Sequence, residues 1–133
     1  MLSHFDRDNT IQHQDCDNRF TPDTDDITLI KTIAADSVGW NWITADLDQI
    51  RKNPAERIAL AESKMNIVFF RSGFNGMKPK FQAVKLISAW DNIVYSCNTA
   101  RQPTAFAVSA KQANEKIEVI CPTRELVRVK SIR

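Results

Sequence analysis

Between residues 42 and 57 the chain passes from one kind of element to another, and that passage restricts the fold more than any other stretch. Trp42-Ile43-Thr44-Ala45-Asp46 reads as a strand, buried on both faces over 40–44, that delivers a carboxylate at its end. A few residues later Asn53-Pro54-Ala55-Glu56-Arg57 opens a helix with three signals together. Asn53 can cap, Pro54 suits the first helical position, and Glu56 can reach back to the cap residue. The helix over 54–64 is expected to turn Ile58, Leu60, Ala61 and Met65 inward. Asn66-Ile67-Val68-Phe69-Phe70 then forms a continuous apolar run, the pattern of a strand covered by helices on both sides. Strand, helix and buried strand in succession predict an α/β fold, a three-layer α/β/α sandwich around a mainly parallel sheet.

The flanking segments extend this pattern. Thr10–Gln14 alternates weakly, as a short strand would, and residues 15–24 form a loop rich in Asp and Asn. Ile27, Ile30, Ile33 and Ala34 recur at helical spacing, with Asp25 or Asp26 at the cap and Gly39 ending the unit. After a glycine-bearing loop over 71–79, a helical pattern runs from Phe81 to about Tyr95, carrying Val84, Ile87, Ser88 and Trp90. Thr104–Val108 is a further strand, and Ile117–Ile120 can be another. Trp40, Trp42, Phe69 and Phe70 read as core.

At 133 residues the chain suits one domain, here taken as residues 1–133. No apolar run approaches the roughly 20 residues of a membrane span, and the first residues have no signal-peptide character, so a cytoplasmic protein with no membrane partner is expected. Cys16, Cys97 and Cys121 are odd in number and far apart, which fits free thiols better than a disulfide framework or a zinc site. Charge is uneven: residues 1–48 hold ten acids against three bases, a balance of −7, which leaves +9 to the remainder of a chain with net charge +2. An acidic half beside a basic half is compatible with a nucleic-acid-processing enzyme and equally with solvated faces of differing composition.

Asp46 and the Asp25-Asp26 pair carry the chemistry. Ligands of open α/β sheets bind outside the carboxyl ends of the strands, where Asp46 is expected. If Asp26 meets it there, two carboxylates about 4 Å apart repel by roughly 4 kcal/mol at a dielectric near 20, so both stay ionised only with a cation between them. Oxygen ligands favour Mg²⁺ or Mn²⁺, and neither His4 nor His13 has a partner at ligand spacing. Asp26 also has a purely structural reading as a helix N-cap, whereas a carboxylate closing an apolar strand, as Asp46 does, gains no core packing. Arg51, Lys52, Arg57 and Arg71 can hold phosphates or simply face water.

Thr24-Asp25-Asp26, Ile43-Thr44-Ala45-Asp46 with Ile50, and Asn53-Pro54-Ala55-Glu56-Arg57-Ile58-Ala59-Leu60, taken with the apolar strand that follows, resemble the PIN-like domains of VapC-type toxin ribonucleases over roughly residues 11–110. The resemblance implies a metal-dependent endoribonuclease that cleaves RNA, with an antitoxin protein as partner and a homodimer as a compatible state. It assigns Asp26 and Asp46 as catalytic metal ligands for Mg²⁺ or Mn²⁺, Asp25 as the weaker neighbour of Asp26, Thr44 as a hydroxyl near the acids, and Arg51 and Arg57 as RNA contacts. It also implies a central first strand bearing another acid ahead of Thr10–Gln14. No such strand is read here, so an N-terminally incomplete fold with weak or absent activity is expected. The alternative is a non-catalytic PIN-like remnant acting as a protein-interaction module.

Overall fold

The computed structural model describes residues 19–21, 23–37, 39–45, 52–110 and 116–128. The expected strand at Thr10–Gln14 and residues Cys16, Asp46 and Arg51 lie outside the described residues. The described elements are α1 (Asp26–Ala34), β1 (Trp42–Thr44), α2 (Pro54–Glu62), β2 (Ile67–Phe70), α3 (Pro79–Thr99), β3 (Thr104–Val108), β4 (Ile117–Pro122) and a closing 3₁₀ helix (Thr123–Arg128).

The strands form one sheet in the order β1-β2-β3-β4. β1 and β3 flank β2 in parallel, with Ile43 opposite Val68 and Val68 opposite Phe106. β4 returns antiparallel to β3, with a register irregularity between Ala105 and Phe106. Successive side chains of a strand point to opposite faces. Ile67, Phe69, Ala105 and Ala107 therefore join Ile30, Leu60 and Leu126 on one side. Val68, Phe70, Phe106 and Val108 join Ala89, Ile93 and Cys97 on the other. Helices α1 and α2 with the 3₁₀ helix thus make one outer layer and α3 the other, the three-layer mixed α/β sandwich that the sequence predicts. The three parallel strands follow one another across the sheet while α2 and α3 cover opposite faces, so the two crossovers have opposite hands. One of them departs from the usual right-handed connection.

Helix α2 starts as its sequence requires: Asn53 accepts the Glu56 N–H at 3.1 Å, and Pro54 occupies the first turn, where its missing N–H costs nothing. β2 is buried along its whole length.

Three expectations need correction. β1 is a three-residue edge strand among the described residues, with Ile43 37 % exposed, rather than a strand buried on both faces, because only β2 pairs with it. Ile58 points outward while Ala59 takes the inward position beside Leu60 and Ala61. α3 begins at Pro79 and continues to Thr99, beyond the limits of Phe81 and Tyr95. Along it Lys85, Ala89, Trp90, Ile93 and Cys97 are buried, whereas Val84 and Ile87 face water.

Candidate functional site

The carboxyl ends of β1, β2 and β3 share one edge, where antiparallel β4 begins. Loop residues lock this edge. Asn75 Nδ2 donates to the Ala45 carbonyl at 2.9 Å, so the turn after β2 holds the end of β1. The Arg71 backbone N–H donates to Val108 O at 2.9 Å, and its guanidinium pairs with Glu118 across the sheet at 2.8 Å. Phe74 stacks on Phe70 with ring centroids 4.2 Å apart and closes the layer below. Gly73, at φ +101°, takes the backbone through a left-handed turn beside Ala110, where a side chain would strain the chain.

The acids of α1 divide into two roles. Asp25 is the N-cap: its Oδ1 accepts the Thr28 N–H at 2.7 Å. That bond holds its carboxyl below the ordinary carboxylate range, with smaller help from the Thr28 hydroxyl. The capping role proposed for Asp26 therefore belongs to its neighbour, because a cap needs extended backbone, and Asp25 has it at φ −72°, ψ 158°. Asp26 is the first residue of the helix, half-buried and engaged by another group. The connection from α1 to β1 lies at the amino edge of β1, where Asp36 accepts from Trp40 Nε1 at 3.1 Å and pairs with Arg19 at 3.0 Å. Asp26 starts α1 at the opposite end of that helix. Thr44 ends β1 half-buried, and by alternation shares the face of Trp42, the face that α1 and α2 cover. Thr44 and Asp26 thus belong to the same side of the sheet.

The proposed phosphate contacts fare differently. Arg57 is half-buried on α2 and donates through Nε to the Leu126 carbonyl at 2.6 Å, which makes it a tether between α2 and the 3₁₀ helix. Arg71 is paired with Glu118, and Lys52 stands exposed before α2. A cation that the sequence reading passed over is Lys85, 1 % exposed and engaged by a partner. It lies one turn from Ala89 on the sheet-facing side of α3, towards the carboxyl edge. Its place inside Val84-Lys85-Leu86-Ile87 concealed it, since the apolar neighbours suggested the opposite phase.

Among the described residues no group of three or more His, Cys, Asp or Glu could hold a metal ion. Asp25 is committed to its cap and Glu118 to Arg71, so Asp26 has no neighbouring acids among the described residues with which to hold a divalent cation. Of the two described thiols neither is activated as a nucleophile: burial pushes Cys97 up to about 11, and raises Cys121 too, aided by the Glu125 carboxylate. At the other end of the sheet, a cavity of about 800 Å³ opens between α2 and the 3₁₀ helix, lined by Ile58, Ala61, Lys64, Pro103, Thr123 and Val127 among others. It lies on the amino edge, with Glu62 and Arg124 also in its lining. No helix among the described residues is long and apolar enough to cross a membrane.

A family model described as PIN like domain matches residues 1–72, just over half of the chain. No curated protein and no solved structure matches it.

Proposed function

Because the chain belongs to the PIN-like domain family, we propose that it is a metal-dependent endoribonuclease of the VapC toxin type, with RNA as substrate and an antitoxin protein as partner. The family match carries the reading, and it spans the two segments that hold Asp26 and Asp46. The edge geometry supports it: three parallel strands end together, Thr44 closes β1 immediately before Ala45 and Asp46, and Asn75 fixes that end from the side. Rigidly held strand ends suit a site whose groups must keep their spacing.

In this reading Asp26 and Asp46 are the ligands of Mg²⁺ or Mn²⁺, which would lower the pKa of a bound water and neutralise charge developing on the phosphate. The chain's own residues supply the frame. Asp25 fixes the first turn of α1, and with it the position of Asp26; Thr44 offers a hydroxyl on the same sheet face; Arg51 and Lys52 are the basic residues this reading assigns to RNA phosphates. Arg57 contributes chiefly by holding α2 to the 3₁₀ helix.

Cleavage of end-labelled single-stranded RNA in Mn²⁺ and in chelator tests the reading. Cleavage is expected only with metal and is lost in Asp26→Asn and in Asp46→Asn, while Asp25→Asn, which preserves the cap, stays active. Cleavage that persists in chelator, or survives both ligand substitutions, overturns it. A second reading, the non-catalytic interaction module, is favoured by the missing acid set among the described residues. It predicts no cleavage under any metal.

A further inference from the structure

The cavity on the amino edge of the sheet lies between two apolar walls. Ile58, Ala61 and Glu62 stand three and four positions apart on α2 and so share one helix face. Opposite them, Arg124 and Val127 are three apart in the 3₁₀ helix, where such residues eclipse one another, while Thr123 and Leu126 of the same turns are buried. Pro103, just ahead of β3, and Lys64, just after α2, extend the lining. Thr123 lines it too, but its hydroxyl is spent on the Met65 carbonyl at 2.7 Å. Ile58 and Val127, one on each wall, stay 47 and 46 % exposed, so a ligand lying between them removes apolar surface from water. The volume of about 800 Å³ falls within the roughly 300–1,000 Å³ of pockets that take small organic molecules.

The three charged groups of the lining are all exposed, and so stand at the opening. Arg124 donates through Nη1 to the Gln102 side-chain oxygen at 2.6 Å. That partner is neutral, so the guanidinium keeps its full charge and has further N–H groups to offer. Lys64 makes no ion pair among the described residues, and Glu62 pairs with neither cation. Two cations against one carboxylate leave the opening net positive above an apolar interior, the complement of a molecule with an anionic head and an apolar tail.

We propose that this cavity binds a small amphipathic anion, a medium-chain carboxylate whose tail lies between Ile58, Ala61 and Val127 and whose head takes the fork of Arg124, with Lys64 adding charge. A guanidinium suits that head because its planar N–H groups meet both carboxylate oxygens at once. The proposal does not rest on the nuclease reading, and carboxylate binding and RNA cleavage are measured separately.

Methyl NMR of the full chain, titrated with decanoate below its micelle-forming concentration, tests it. The Ile58 and Val127 methyl signals are expected to shift saturably, and those of Val84 and Ile87, exposed on α3, to stay in place. Decyltrimethylammonium, the same tail on a cationic head, binds the wild-type chain roughly tenfold more weakly. Arg124→Glu weakens decanoate by a similar factor and strengthens the cationic probe, and Ile58→Ser with Val127→Ser removes saturable binding of both. The headgroup comparison is made on the wild-type chain and needs no variant to fold. Shifts without saturation, shifts as large at Val84 and Ile87 as at Ile58 and Val127, equal affinity for the two heads, or an Arg124→Glu chain that binds decanoate as the wild type does would each overturn the proposal.

Discussion

Replacing Arg57 by Ala separates a structural arginine from a phosphate-binding one. Its Nε donates to the carbonyl of Leu126 at 2.6 Å, and Leu126 is fully buried. A hydrogen bond from a charged donor contributes about 1.5–3 kcal/mol, and its loss leaves a half-buried carbonyl without that partner. We therefore expect Arg57→Ala to lower the unfolding free energy by about 2 kcal/mol, which for a chain of this size lowers Tm by roughly 6–10 °C. Arg57→Lys retains the charge but not the planar guanidinium, and should lose much of the same stability. Urea titration followed by tryptophan fluorescence measures the loss. In parallel, the salt dependence of single-stranded RNA binding reports phosphate contacts, each changing the logarithmic slope by about 0.7. The expected pattern is a lower urea midpoint with an unchanged slope. An unchanged midpoint with a slope reduced by one contact would refute the tether and return Arg57 to the RNA.

Two further outcomes follow from the described geometry. Asn53→Ala should cost about 1 kcal/mol, because the Glu56 N–H loses its acceptor, and Asn53→Asp should cost little; thermal unfolding of both checks this. Cys97 ionises near 11 when folded, against an ordinary thiol value of 9.0, so the folded state keeps a proton that the unfolded state has lost between those values. Stability should fall as pH rises through that window and be unaffected by this thiol below it, and Cys97→Ala should flatten the fall in urea midpoint between pH 9.0 and about 11. A steeper fall in the variant would contradict the burial of this thiol.

β2 and α2 were legible because each carries a signal that neighbours cannot mimic. Four successive apolar residues suit only a strand covered twice, and Asn53-Pro54 can begin a helix but not continue one. α3 was legible as a helix but not in phase. Apolar residues surround it, with Leu86, Ala89 and Ile93 on one side and Phe81, Val84 and Tyr95 on the other, so periodicity alone selects no inner face. The buried ammonium stem of Lys85 hid the true phase further, since lysine is rarely fully buried. β1 misled in a different way: Trp42 and Ile43 are bulky enough for an interior strand, but exposure depends on how many strands lie alongside, which no local pattern records. The 3₁₀ helix is too short to show any period, so Leu126 went unnoticed although it is a fully buried core residue. At the site, adjacent Asp25 and Asp26 were indistinguishable by composition. Only the backbone turn into α1 decides which of them is held by Thr28 and which is left for other work.

The closing 3₁₀ turn has a consequence for how the chain matures. Thr123 Oγ1 donates to the Met65 carbonyl across 58 residues, and Arg57 reaches Leu126 across 69. Thr123 and Leu126 are fully buried and seal the cluster around Leu60 and Ile67, from which they are separated by more than fifty residues of chain. During synthesis that apolar patch stands open until residues 123–126 emerge, a window in which chaperones or a waiting companion protein gain access.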